Sequence, residues 1–266
     1  MVIGAPPLWG SEALDLNAYF QSLLTILGLG VLISIVVPVL GSAGRLGDIL
    51  KAASRIRGVD VENIVVIGSM DRSIANRIRG RARVIHQSML RYPGRGIAMR
   101  DGYLYSDGDV IIYLDSNTDR ISPQSIEVLY RPILDGELDL VKAGFSRRFS
   151  ELEERLRPHI ARTYPGLSSI EHPLSPYTAA RRKTLEAVSW EQGWGADMAI
   201  LLDAHRSGYR VGEVRIDLKD RGRQAKLYRE TAQEILWALL KRAITDKKIG
   251  EEEASRIEQD ILGVIG

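Results

Sequence analysis

The sequence predicts an α/β protein built on a doubly wound sheet flanked by helices. Three observations carry that expectation. Apolar, β-branched segments alternate with amphipathic helical ones through the first half of the chain. The segment Val110 to Leu114 is wholly apolar between Asp109 and Asp115, as a parallel strand covered on both faces reads. The 266 residues are 45% apolar and 26% charged, enough to bury one large core unaided.

Composition narrows the chemistry. The chain has no cysteine, which excludes a disulfide framework, a thiolate nucleophile and a Cys-ligated zinc, and leaves oxygen and histidine chemistry. Its 36 basic against 34 acidic side chains, a net of +2, argue against a dedicated duplex-DNA binder, so no nucleic-acid partner is expected. Charge is unevenly spread: eight arginines and no carboxylate stand between Arg72 and Arg100. Such a run reads as a solvated face.

The elements follow in order. Leu16 to Gly44 carries no charged side chain. It is long enough for a membrane span but divides better into an amphipathic helix over Leu14 to Leu27 and a buried strand over Leu32 to Val37, separated by Gly28 and Gly30. No basic region precedes it, so a cytoplasmic protein is expected, its first helix lying on a membrane surface or in a dimer interface. A loop over Pro38 to Gly44 precedes a helix over Arg45 to Arg57. A strand over Asn63 to Ile67 ends in a loop over Gly68 to Asp71 and a short helix. Arg83 to His86 form the next strand, and a turn over Tyr92 to Gly96 opens a helix running toward Ser106. The strand ending at Asp115 should present that end to a ligand, since ligands collect at the C-terminal edge of open α/β sheets. Strands over Leu138 to Gly144 and Arg210 to Ile216 follow, with helices over Phe149 to Tyr164, Met198 to Ser207, Leu227 to Thr245 and Glu251 to Ile265. Leu227, Ile235, Leu236, Leu239 and Leu240 exceed what a terminal helix easily buries against its own domain, which predicts a homodimer.

The order of loops at successive strand ends, Pro38 to Leu40, Gly68 to Asp71, Gly94 to Gly96 and Asp115 to Asn117, resembles the GT-A glycosyltransferases. Their corresponding patterns are P-x-x-N-E, D-x-G-S-x-D, G-K-G and D-x-D. Val141 to Arg148, Pro173 to Tyr177 and Gly193 to Asp197 are similar to one branch, the retaining glucosyl-3-phosphoglycerate and mannosyl-3-phosphoglycerate synthases. The resemblance spans Ile33 to Leu240. It implies a GT-A-like, Rossmann-type mixed sheet over 32–225, with helical extensions over 1–31 and 226–266. It also implies transfer of a hexose, with retention, from a nucleotide sugar to a small phosphorylated or carboxylate acceptor such as 3-phosphoglycerate.

Site residues follow from the same resemblance. Pro38, Val39, Leu40, Ser69, Asp71, Arg95, Asp115 and Ser116 would bind the donor. Asp115 and Asn117 would offer hard oxygen ligands to magnesium or manganese beneath the diphosphate, whose growing charge needs neutralising as the glycosidic bond breaks. Arg147, Arg148, Ser175 and Tyr177 would face the acceptor, a guanidinium being suited to bidentate anion recognition. Arg147 and Arg148 also read as a surface pair balancing Glu151, Glu153 and Glu154, and Ser175 and Tyr177 as plain turn residues. Asp197 would serve catalysis, although its place at a helix start also suits capping.

The chain departs from the family pattern in four places. The loop after the first strand lacks the acidic pair, Asn117 replaces an aspartate, Arg95 replaces a lysine, and 216–227 holds no histidine. Asp220, His172 or His205 are the substitutes available for the missing metal ligand. Two alternatives remain open: a membrane-associated polyprenyl-phosphate glycosyltransferase, and a non-enzymatic protein of this fold, with a degenerate metal site, that binds a nucleotide sugar or RNA.

Overall fold

The computed structural model describes residues 30–41, 43–68, 72–89, 91–118, 121–145, 150–218 and 229–264. Its strands are β1 (Leu32–Val39), β2 (Asp60–Ile67), β3 (Arg83–His86), β4 (Val110–Tyr113), β5 (Leu140–Gly144), β6 (Thr178–Arg181) and β7 (Val211–Arg215). They form one sheet in the order β3-β2-β1-β4-β6-β5-β7. All neighbours pair parallel except β6, which runs antiparallel between β4 and β5. Strand order reverses between β1 and β4, and such a switch point opens a crevice at the C-terminal strand ends.

Period-two alternation sorts β1 between two cores. Ile33, Ile35, Val37 and Val39 point to one face, where they meet α1 (Leu46–Ala53), α2 (Arg72–Ile78) and α4 (Pro123–Leu134). Val36 points to the other face, shared by α3 (Arg95–Leu104), α5 (Glu151–Thr163), α7 (Ala196–Arg206), α8 (Arg229–Thr245) and α9 (Glu251–Leu262). A short helix, α6 (Arg182–Glu186), follows β6. Helix α5 begins with a capping box in which Ser150 and Glu153 satisfy each other's amides.

The structure extends β1 two residues beyond the expected strand, so Pro38 and Val39 are not loop residues. Both are buried at the end of β1, in register with Val66 and Ile67. Pro38 is tolerated there because Val36, two residues earlier, faces β4 and accepts the Leu114 amide as the last bond of that ladder, and beyond that point β1 needs no donor on this side. Val39, 1% exposed, is core. The second half of the long uncharged segment is therefore strand; the expected helix over Leu14 to Leu27 lies outside the described residues. Among the described residues, no helix is long and apolar enough to cross a membrane.

Helix α8 corrects the reasoning behind the expected dimer. Ile235, Leu236, Leu239 and Leu240 are all buried in the chain's own core, against α7 and α9. Arg242, 3% exposed, fastens α8 further: it donates to both carboxylate oxygens of Asp203, to Glu191 and to the Ser189 carbonyl. The helices expected as a C-terminal extension thus pack into the same core as the sheet.

Candidate active site

The site is assembled from the ends of β4, α3 and α7. After Tyr113 the β4 ladder continues one residue, with the Leu114 amide donating to Val36, and then turns at Asp115. Asp115 Oδ1 accepts the Asn117 amide at 2.8 Å, and its carbonyl accepts the Thr118 amide at 3.0 Å. This tight turn leaves Asp115 half-buried and Asn117 exposed at the rim, with Ser116 buried behind them.

Arg95 opens α3 and is only 4% exposed. Its Nε donates to Asp197 Oδ2 at 2.6 Å, and Nη2 donates to Asp197 Oδ1 and to the Pro176 carbonyl, each at 3.2 Å. Burial works against the charge of Arg95, but the ion pair with Asp197, helped by Asp115, outweighs it and raises the arginine's pKa above its ordinary value. A cation at a helix N-terminus opposes the helix dipole, whereas Asp197, in the first turn of α7, is favoured there. The pair joins two helix starts.

Two glycines make that junction possible. A Cβ on Gly96 would lie 1.8 Å from the Glu191 carbonyl oxygen and one on Gly94 2.2 Å from that of Gln192, so only glycine fits on either side of Arg95. The first amides of α3 are used by this contact, Gly96 donating to Gly193 and Ile97 to Gln192. Those two amides are taken, which leaves the Arg95 guanidinium as the described cation facing this place. Glu234 of α8 closes the far side by accepting the Trp194 amide at 2.7 Å.

Between these parts lies a cavity of about 170 Å³. Arg95, Asp115 and Asp197 line it with Leu174, Pro176, Trp194 and Ile235. The structure therefore brings together three of the residues expected at the site. Tyr177 and Ser175 are buried beside it, Tyr177 pairing with Thr118 at 3.0 Å and thereby tying the 173–178 loop to the Asp115 turn. Leu40 is half-buried against the core at the end of β1. Ser69, Asp71, Arg147, Arg148 and Asp220 lie outside the described residues.

Of the run of arginines, Arg77, Arg79, Arg81, Arg83 and Arg91 are exposed, as a solvated face requires, while Arg100 is half-buried and Arg95 is buried. The two substitute histidines lie on different segments. His205 sits near the opposite end of α7 from Asp197, edge-on to Tyr164. His172 is buried edge-on to Phe145; the nearby carboxylates are committed, Glu213 to the His172 amide at 2.7 Å and Glu171 to Arg215 at 3.3 Å. Sequence reasoning missed Leu174, Trp194 and Ile235 as cavity walls. For Trp194 the flanking Gly193 and Gly195 were the available signal.

The pattern that describes glycosyl transferase family 2 matches residues 34–197, from β1 to Asp197. Glucosyl-3-phosphoglycerate synthase of Petrotoga mobilis is 28% identical over 277 residues, covering 88% of this chain and 85% of that enzyme. The same enzyme of Mycolicibacterium paratuberculosis is 26% identical over 250 residues, 83% of this chain and 75% of that one. Among solved structures, glucosyl-3-phosphoglycerate synthase of Mycobacterium tuberculosis in complex with Mn2+, uridine diphosphate and glucosyl-3-phosphoglycerate superposes with a TM-score of 0.72 at 25% identity, covering 91% of this chain and 86% of that one. The match begins in β1, takes in the Gly-flanked Arg95 and the Asp115 turn, and ends on Asp197, so the cavity is built from the matched region together with α8: this chain belongs to glycosyl transferase family 2.

Proposed function

We propose that the protein transfers a glucosyl group from a uridine diphosphate donor to 3-phosphoglycerate with retention of anomeric configuration. The observation that carries the proposal is the convergence of Arg95, Asp115 and Asp197 on one cavity at the C-terminal edge of the sheet. The likeness to enzymes named for that product supports the choice of acceptor.

In this reading Arg95 neutralises the departing diphosphate. Its bonds to Asp197 and Pro176 use Nε and Nη2, which leaves Nη1 to meet a phosphate oxygen. Asp115 and Asn117 fit a divalent cation in donor chemistry, one carboxylate and one amide oxygen at an accessible turn, both hard ligands. A bound magnesium or manganese would add positive charge beside the diphosphate. In a retaining transfer the acceptor approaches on the face that the leaving group departs, so the leaving phosphate can take the acceptor's proton and no base is needed opposite. Asp197 then orients sugar hydroxyls as positive charge grows on the ring. Arg147 and Arg148 follow β5, whose C-terminal end lies at the same edge, and are assigned to the acceptor.

Incubating the pure protein with UDP-glucose, 3-phosphoglycerate and manganese should release UDP and form glucosyl-3-phosphoglycerate. Hydrolysis of the donor without acceptor-dependent product would overturn the acceptor assignment. The homodimer and the cytoplasmic compartment belong to this proposal, the former now supported by the uncharged segment 16–29 alone. A single-chain mass by light scattering at micromolar concentration would overturn the dimer; activity confined to a washed membrane pellet would overturn the compartment and favour a lipid-linked acceptor.

A further inference from the structure

Lys142 lies in the middle of β5 with no exposed surface, in register with Thr178 of β6 and Glu213 of β7. An ammonium withdrawn from water is strongly disfavoured unless its protons are used. A methionine would fill the same space without that cost, so packing alone does not call for lysine here. What the lysine supplies is a grip on the neighbouring loop: Nζ donates to the Ser175 carbonyl at 2.6 Å and to the Thr178 hydroxyl at 3.0 Å.

The next carbonyl along the chain, that of Pro176, is held by Arg95. Two successive carbonyls are thus each fixed by a buried cation, and the residue after them, Tyr177, is joined to Thr118 in the turn that opens at Asp115. The loop so held carries Leu174 and Pro176, two walls of the cavity.

We propose that Lys142 is a positioning residue of the transfer reaction: its ammonium holds the 173–178 loop in the shape that seats Arg95 and the Asp115 turn against the donor diphosphate, and loss of its proton loosens that shape. The inference rests on the reading of the cavity as the donor site. Burial pushes the Lys142 pKa down to about 8. Of the charged groups around it, Asp197 on α7, Glu153 on α5 and Glu213 on β7 favour the ammonium, while Arg95 on α3 opposes it. Below about pH 8 the grip is therefore in place, and above it the lysine is neutral and its hold on two acceptors weakens.

The test measures turnover and, by calorimetry, UDP affinity of the full chain with magnesium from about pH 6 to about pH 10. The wild type should lose on the order of tenfold in both through an alkaline limb near pH 8. Lys142→Met should be lower by at least about tenfold at neutral pH and show no such limb. Thr178→Val, which removes one acceptor from the ammonium, should move the limb to lower pH. A limb that persists in folded Lys142→Met, or wild-type affinity and turnover in that variant, overturns the proposal. Should Lys142→Met fail to fold, an unmoved limb in Thr178→Val overturns it. UDP binding that follows the limb without any glucosyl transfer supports the role of Lys142 and overturns the acceptor assignment instead.

Discussion

Asp197→Asn should lower turnover by roughly tenfold to a thousandfold, a few kcal/mol of transition-state stabilisation, while donor affinity, measured well below pH 8 where the Lys142 ammonium is retained, holds or improves. The direction of the second effect follows from the charge balance. Asp197 is the principal anion facing buried Arg95, and its two oxygens take both Nε and Nη2. Asparagine keeps the shape and one acceptor but removes the charge, so the cavity becomes more positive by one unit and a diphosphate meets a less compensated guanidinium. The apo protein bears the cost. Breaking a buried pair from one side typically costs about 3–5 kcal/mol, and the retained acceptor puts the expected loss toward the lower end. The check is steady-state kinetics with thermal unfolding in the presence and absence of UDP, which should restore part of the lost stability. A variant that keeps full turnover but loses stability would show that Asp197 only secures Arg95, and the catalytic assignment would fail.

That pairing was invisible to local reading. Asp197 and Arg95 are 102 residues apart, and nothing near either announces the other. The sequence placed Asp197 at a helix start, where capping was the rival explanation. The structure has Gly195 at the cap and the Asp197 carboxylate turned to Arg95 instead. Arg95 itself was legible because Gly94 and Gly96 flank it, and the close approach of 191–192 explains why they must be glycine. Lys142 belongs to the Val141 to Arg148 segment that carries the resemblance, and its signal as a buried ammonium is its place as a lone cation inside the apolar stretch Leu140 to Ala143.

The fold divides in the same way. Strands β1, β2 and β4 were legible from their β-branched runs. Strand β6 was not, because Thr178 is the one β-branched residue in a run completed by Ala179, Ala180 and Arg181, which carry little strand preference. It is a strand because β4 and β5 pair with it on both sides. Helix α4 was hidden by Pro123 and Pro132. The first occupies the opening position after the Ser122 cap, where its missing N–H costs nothing, and the second falls in the last turn. Local propensity was overruled by tertiary pairing in one case and read as punctuation in the other.

Asp115→Ala should reduce transfer by about a thousandfold or more with little change in fold, an effect of about 4 kcal/mol on the transition state. The separation of the two effects rests on how lightly Asp115 is used by the structure. Its described side-chain hydrogen bond is to the Asn117 amide, and loss of one such turn contact in a half-buried position costs about 1 kcal/mol. Its carbonyl, which holds Thr118, is untouched by the substitution. The functional loss is large because the carboxylate supplies the only formal negative charge of the Asp115 and Asn117 pair; alanine leaves a single amide oxygen, too weak to hold a divalent cation in competition with water. Chelator added to the wild type should therefore reproduce the defect, and Asn117→Asp, which adds a second carboxylate at an exposed position, should lower the manganese concentration needed for half-maximal turnover. Arg95 remains paired with Asp197 in the alanine variant, so residual UDP binding should survive and lose its dependence on metal. Full turnover of the wild type in chelator, together with an inactive Asp115→Ala, would assign Asp115 to the sugar rather than to a cation, and Arg95 would then stand as the principal contact for the diphosphate.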